Sequence, residues 1–169
     1  TEGVVRTGVI ADAGANVVVK NSRIHTRNGV LPADYQATVE TPYMESVPWM
    51  LGLDGNVRAT NLIGANSRAT YLNSTVFSET WGALSVEGGR GLKLTVVNSQ
   101  VGNTGSYGYG TYAIGDAIVR VLGSRFDVGS YAIPSKEQRG AHRARPLALR
   151  PVHVTVDSEC LETMLFMRV

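Results

Sequence analysis

Short segments of alternating apolar and polar residues recur along the first three quarters of the chain. Five of them end in a polar turn, in most cases asparagine followed by serine, after which another apolar segment begins. The turn positions are Asn21, Asn61, Asn73, Asn98 and Gly123. Alternation over four to six residues predicts β-strands with one buried face, and the polar turn predicts a sharp corner between two such strands.

The last three of these turns are evenly spaced. Asn73, Asn98 and Gly123 follow one another at equal intervals of about 25 residues, a spacing that predicts one coil of a three-stranded solenoid. Asn61 precedes Asn73 by only about half that interval, so one of the two lies outside the regular series, and the flanking residues favour Asn73 as the regular one. The glycine at position 123 is explained if this turn has a left-handed backbone.

A second kind of apolar segment precedes each of these strands and ends in an acidic turn. These segments, residues 9–12, 51–54, 84–87 and 112–116, are interpreted as the first strand of each coil. Alternation predicts that Leu51, Leu53, Leu84, Val86 and Ile114 point inward, where neighbouring coils cover them. The outward positions are mostly small residues, among them Ala83, Ser85, Thr111 and Ala113, with Trp81 as the large exception.

The repeated pattern resembles the pectin lyase-like right-handed parallel β-helix over residues 7–133. This resemblance implies an all-β solenoid of about five coils, in which the turn asparagines stack as an inward ladder of side-chain amides. Residues 29–48 interrupt the pattern where that fold places a variable loop, between the third strand of one coil and the first strand of the next. The loop is expected to lie beside the first-strand sheet.

The pattern stops after Pro134, and the composition changes. Residues 134–169 are interpreted as a basic linker followed by a cap or tail, with a strand-like alternation at residues 152–157. The basic residues are Lys136, Arg139, Arg143, Arg145 and Arg150. Two explanations remain: the segment caps the open end of the solenoid, or it is a basic arm for a polyanion such as nucleic acid or an acidic polysaccharide.

Composition and charge narrow the function only slightly. A chain of 169 residues with 43% hydrophobic residues fits one domain with a real core. A net charge of +2 is too small to indicate nucleic acid or a membrane surface. No apolar run approaches the roughly 18 residues of a membrane span, and the single cysteine, Cys160, cannot form an internal disulfide. So few coils are consistent with a fragment of a longer solenoid or with end-to-end self-association.

No compact catalytic motif occurs, so chemistry would have to come from residues that stacking brings together. Asp54, Glu87 and Asp116 are predicted to lie at the same point of successive coils, about 5 Å apart per coil, with Arg90 as the nearest basic residue. Stacked carboxylates could serve general acid–base catalysis or share a Ca²⁺ ion. The alternative is that acidic residues simply favour exposed turns.

The resemblance also implies a secreted carbohydrate-active protein, at an extracellular or cell-surface location. Such a protein would bind an acidic polysaccharide or cleave it as a lyase or hydrolase, and related lyases hold Ca²⁺ with acidic residues on this side of the helix. Trp81, Ser85, Tyr109 and Tyr112 are the predicted substrate contacts, because a smooth face with an aromatic ring suits an extended sugar chain. A structural or adhesive module and an enzyme for a small hydrophobic substrate remain as alternatives.

Overall fold

The computed structural model describes residues 2–4, 7–29, 58–79, 81–87, 89–105, 108–129, 132, 135–136 and 153–156. These residues form β-strands, turns and bends without any helix, and every strand pairing among them is parallel. None of the described residues belongs to a helix that is long and apolar enough to cross a membrane.

The strands form three sheets, each named by its place in the coil. The first-strand sheet contains β2 (Val9–Ala11), β5 (Arg58–Leu62), β8 (Gly82–Val86), β11 (Tyr109–Ile114) and β14 (Ser135–Lys136). The second-strand sheet contains β3 (Asn16–Lys20), β6 (Arg68–Leu72), β9 (Leu92–Val97), β12 (Ala117–Leu122) and β15 (His153–Val156). The third-strand sheet contains β1 (Glu2–Val4), β4 (Arg23–Arg27), β7 (Thr75–Ser78), β10 (Gln100–Asn103) and β13 (Arg125–Val128).

Strands β2 to β13 form complete coils, because each successive trio contributes one strand to every sheet in chain order. The prediction of an all-β parallel solenoid is confirmed. Two strands of the segment after Pro134 also belong to the sheets: β14 pairs with β11, and β15 pairs with β12. The strand predicted at residues 152–157 is therefore present, and it covers the edge of β12.

The register shows where the regular spacing breaks. Arg68 pairs with Lys93 at the regular interval of one coil, whereas the interval from Asn16 to its partner Arg68 is about twice as long. The additional residues lie between the end of β4 at Arg27 and the start of β5 at Arg58. The interruption predicted at residues 29–48 thus follows a third strand and precedes a first strand, as expected, and all of it except Gly29 lies outside the described residues.

The turn predicted at Asn61 is wrong. Asn61 lies within β5, is buried, and pairs with Ser85 of the first-strand sheet. β5 occupies the position between β2 and β8 in that sheet. The segment 51–54, which the sequence pattern predicts as a first strand, lies outside the described residues. Asn73 is the regular member of the asparagine series, as the flanking residues predict.

The regular turns have the left-handed backbone that their residue types favour. The φ angle is +51° at Asn21, +48° at Asn73, +46° at Asn98 and +55° at Gly123; asparagine and glycine enter this region most readily. The predicted inward ladder of amides is wrong, because the three asparagine side chains are exposed. Among the described residues, one amide contact joins them: Nδ2 of Asn73 donates to Oδ1 of Asn21 at 3.4 Å.

Serine, the residue after each turn, makes the hydrogen bonds that connect the coils. The backbone N–H of Ser22 donates to Oγ of Ser74 at 3.2 Å, that of Ser74 to Ser99 at 3.1 Å, and that of Ser99 to Ser124 at 3.0 Å. The Ser99 hydroxyl in turn donates to the carbonyl of Val97 at 2.8 Å. Ser74, Ser99 and Ser124 are buried, so this ladder satisfies backbone groups that water cannot reach.

Replacing Ser99 by alanine is expected to lower the free energy of unfolding by about 1–3 kcal/mol, because the buried N–H of Ser74 loses its acceptor. The same substitution at Ser22 is the matched control. Ser22 is exposed at the end of the ladder and its hydroxyl donates to the carbonyl of Lys20, so we expect a loss below about 0.5 kcal/mol. Urea unfolding of the two variants measures the difference, and equal losses would contradict the ladder.

The space between the sheets is filled by apolar side chains that stack from coil to coil. Alternation along the second-strand sheet directs one set of residues inward and the next outward. The inward positions of β6, β9 and β12 are Ala69, Tyr71, Leu92, Leu94, Val96, Ala117, Val119 and Val121. Because parallel pairing keeps these positions in register, each side chain packs on its equivalent in the next coil.

The predicted facing of β11 is wrong by one residue. Val86 pairs with Ala113, so Ala113 points inward and is 0% exposed, whereas Ile114 is half-buried. Ala83, which the sequence pattern also places outward, belongs to the hydrophobic core, and Thr111 is buried as well. A shift of one residue reverses every side chain of a strand, and this shift turns Tyr112 to the outer side, beside Ser85.

Candidate functional site

The outer side of the first-strand sheet carries a buried ion pair. Ser85 and Glu87 alternate with the core residues Leu84 and Val86, so they lie on the side of the sheet away from the core. Arg58, from the preceding coil, reaches both: its Nε donates to Ser85 Oγ at 3.0 Å and to Glu87 Oε1 at 3.0 Å. The side chains of Arg58 and Glu87 are 0% and 2% exposed.

Burial dominates the electrostatics of this pair. It raises the pKa of Glu87, and the charge and hydrogen bonds of Arg58 oppose that shift only in part. It likewise lowers the pKa of Arg58, with the Glu87 carboxylate opposing. The ordinary pKa of arginine is so far above neutrality that the guanidinium keeps its proton at neutral pH. Burial disfavours the charged form of both groups, and a buried ion pair often adds little net stability over apolar residues of similar size.

Three aromatic rings, named here the aromatic cluster, lie against this pair. Trp81 meets Tyr112 at 5.0 Å and Tyr109 at 5.4 Å between ring centroids, both edge to face, and the two tyrosine rings are 5.7 Å apart. The Arg58 Cζ is 3.9 Å from the centroid of the Trp81 ring, a cation–π contact. All three rings are half-buried, so part of each remains open to solvent.

Strand register explains why these rings meet. Tyr109 pairs with Gly82, and Tyr112 pairs with Ser85, which sets both tyrosines beside the strand that Trp81 precedes. Burial, followed by the negative charge of Glu87, raises the pKa of Tyr112. The structure therefore brings together all four predicted substrate contacts, Trp81, Ser85, Tyr109 and Tyr112, with Glu87 beside them.

Glu87 and Asp116, two members of the predicted row of acidic residues, do not align with each other. Glu87 donates its backbone N–H to Leu62, so Ile63 is its counterpart in the preceding coil and Ile114 in the following one. Asp116 lies beside a different turn, where its carboxylate accepts the N–H of Gly91 at 3.2 Å. Asp54 lies outside the described residues. The catalytic roles predicted for these acids stay predictions.

Arg90 does not pair with Glu87. It is exposed, and its carbonyl accepts the N–H of Asn66 at 2.7 Å; Arg58, which sequence reasoning missed, takes the place beside the acid. The described residues include no group of three or more His, Cys, Asp or Glu side chains that could hold a metal ion. The Ca²⁺ site predicted for Asp54, Glu87 and Asp116 also depends on Asp54, which lies outside them.

This site can contact a ligand through its aromatic rings, while the charged groups Arg58 and Glu87 are buried and paired with each other. In comparisons with known proteins, no family model matches this chain, and no curated protein or solved structure shows significant similarity to it. The function is therefore argued from the geometry of the aromatic cluster and the buried pair.

Proposed function

We propose that this chain is a carbohydrate-binding parallel β-helix in which Trp81, Tyr109 and Tyr112 form the contact surface for a glycan. The observation that carries the proposal is the aromatic cluster itself: three half-buried rings in mutual contact above a buried ion pair. Tryptophan and tyrosine combine a large apolar face with a polar edge, which suits sugar rings. Rings fixed by their neighbours also lose little conformational freedom on binding.

Binding is favoured over cleavage by the position of Glu87. A general acid must come within about 3 Å of the atom it protonates, whereas Glu87 is 2% exposed and its Oε1 already accepts a hydrogen bond from Arg58. A lyase or hydrolase would need Asp54, Asp116 or Arg90 to act without Glu87. An acidic polysaccharide remains the ligand class that the resemblance implies.

We also propose the finer fold assignment, a right-handed β-helix of the pectin lyase-like type. The support for it is the order of three parallel sheets, each visited once per coil, together with the general right-handedness of connections between parallel strands. An extracellular or cell-surface location follows from the same proposal, since extended polysaccharides are met there.

Tryptophan fluorescence tests the proposed site directly. The chain has two tryptophans, Trp49 and Trp81, so a Trp49→Phe variant reports on Trp81 alone. A panel of neutral and acidic polysaccharides is titrated into this variant, with and without Ca²⁺, and the products are checked for depolymerisation. We expect at least one glycan to change the Trp81 emission saturably; silence across the panel would contradict the proposal, and depolymerisation would replace binding with catalysis.

Tyr109→Ala is expected to weaken glycan affinity about tenfold or more, as removal of a central aromatic contact does in other interfaces. Phe77→Ala is the matched control, because its half-buried ring lies on the third-strand sheet, 5.0 Å from the His25 ring. It should leave the affinity unchanged. Titration of both variants by calorimetry makes the comparison, and an equal loss in the two would show that general destabilisation is responsible.

A structural or adhesive module is the second candidate, and one observation favours it. Arg58 belongs to one coil and its partners Ser85 and Glu87 to the next, so the polar groups of the site also tie coils together. In that case Tyr109→Ala would lower the stability of the solenoid, and no glycan of the panel would bind to the unsubstituted chain.

A further inference from the structure

The outer face of the second-strand sheet presents one cation on each of four adjacent strands. Lys20 lies on β3, Arg68 on β6, Lys93 on β9 and Arg120 on β12, and we call these four residues the basic face. Their sequence neighbours point into the core, so alternation directs the cations outward. None of these four strands contains an acidic residue. The cations span about 14 Å along the solenoid axis.

The fold gains nothing evident from this arrangement. Arg68 and Lys93 are paired directly across adjacent strands, where like charges repel each other. In the part of the chain that the structure describes, no side-chain hydrogen bond or ion pair engages any of the four cations. β6, β9 and β12 are interior strands, so Arg68, Lys93 and Arg120 do not protect a sheet edge. A bound anion would offset the repulsion.

We infer that the basic face binds a linear anionic polysaccharide, laid across the strands so that its sulfate or carboxylate groups meet Arg68 and Lys93, which pair in register, and Arg120, two residues further along β12. Lys20 lies at the other end of β3, opposite Leu72. Thr70 and Thr95 are adjacent in register between the cations, and their hydroxyls can exchange hydrogen bonds with sugar hydroxyls. This surface lies on a different sheet from the aromatic cluster, and the inference holds whether or not that cluster binds a glycan.

Nucleic acid fits the basic face less well. Single strands bind proteins through aromatic rings on which bases stack, and the outward positions of β3, β6, β9 and β12 hold no aromatic residue. Duplex DNA is entered by a helix or a two-stranded ribbon that fits its groove, which a flat sheet face cannot do. The partner is therefore assigned as a polysaccharide, with DNA as a comparison.

The test uses the full chain with heparin as a sulfated polymer, polygalacturonate as a carboxylated one and dextran as a neutral one. Arg68→Gln/Lys93→Gln removes two cations of the basic face. Arg27→Gln/Arg125→Gln is the control, because both residues are exposed on the third-strand sheet. Each double variant lowers the net charge from +2 to 0, so the comparison holds the amount of lost charge constant and changes its place on the solenoid.

We expect the unsubstituted chain to bind heparin or polygalacturonate, with an affinity that falls as salt rises, and not to bind dextran. The basic-face variant should lose affinity about 30-fold, roughly fivefold per cation, while the control changes less than about twofold. The melting temperature of the basic-face variant should stay unchanged or rise, since the repulsion between Arg68 and Lys93 is relieved. Tyr109→Ala should leave the difference between the two double variants unaltered.

Three outcomes would overturn the inference. Equal losses in the two double variants would mean that net charge, and not the basic face, attracts the polymer. Equally tight binding of a DNA duplex would identify a general polyelectrolyte surface in place of a polysaccharide site. Failure of both acidic polymers to bind at low salt would leave the basic face without the proposed ligand.

Discussion

Replacing Arg58 by methionine is expected to lower the free energy of unfolding by about 3–5 kcal/mol at pH 7, because the Glu87 carboxylate then remains buried without a counter-charge. Methionine keeps much of the apolar length of the side chain, so the loss reports on charge more than on packing. Replacing both partners, Arg58→Met/Glu87→Leu, should return stability to near the original value or above it, since neither burial cost is then incurred. Urea unfolding of the unsubstituted chain and both variants provides the comparison.

The pH dependence of the Arg58→Met variant gives a separate check. Burial already raises the pKa of Glu87, and loss of the opposing Arg58 charge should raise this pKa further. The folded variant then binds the Glu87 proton more tightly than the unfolded chain does. Its stability should be highest below the ordinary glutamate pKa of 4.5 and should fall as pH rises through the raised value. The double variant should lack this pH dependence, since it has no Glu87. If the stability of the single variant does not change with pH, Glu87 is solvated and the expectation is wrong.

The turns between the second and third strands could be predicted from the sequence, because each depends on the backbone conformation of a single residue. A left-handed backbone selects asparagine or glycine, and three such turns at equal intervals, Asn73, Asn98 and Gly123, reveal the period. The role of the following serine was missed, since the same residue type is equally common in any turn. Ser99 makes its hydrogen bonds to neighbouring coils, which a local pattern does not encode.

The first-strand sheet was harder to predict because both of its sides are buried. All five residues of β5 and all five of β8 are buried. Polar and apolar residues therefore do not alternate along these strands, and the sequence does not show which side chains face the core. The irregular spacing between β4 and β5 accompanies a second error, the prediction of a turn at Asn61, which lies within β5. A basic residue within a buried strand, Arg58, was the available signal for the ion pair, yet its partner is 29 residues away.

The candidate site could be predicted only in part, because the repeat places its strands but not its turn residues. Trp81 and Ser85 are predicted on the outer side of the first-strand sheet, and Tyr109 and Tyr112 in a loop one coil beyond. Parallel pairing brings all four together. The predicted alignment of Glu87 with Asp116 is wrong because the turns after β8 and β11 differ in length. Asp116 aligns with Gly91, four residues beyond Glu87. A repeat fixes the position of strands better than that of turn residues, since turn length is free to vary.

Leu94→Ala is expected to lower the free energy of unfolding by about 2–5 kcal/mol, whereas Leu122→Ala should change it by less than about 0.5 kcal/mol. Both leucines belong to the second-strand sheet, but Leu94 is 2% exposed and paired with Val119, whereas Leu122 is 39% exposed on the opposite face. The first substitution leaves a cavity in the stacked core, and the second removes surface that water already reaches.

Urea unfolding with an unchanged dependence on denaturant would make the two losses directly comparable. Because the substitution is identical, the difference between them measures the facing of β9 and β12 and not the chemistry of leucine. A small loss at Leu122 would show that this face is open, as binding of a polyanion to Lys93 and Arg120 requires. A loss as large as that at Leu94 would mean that the outer face is itself packed, and the basic face would then have no room for a polymer.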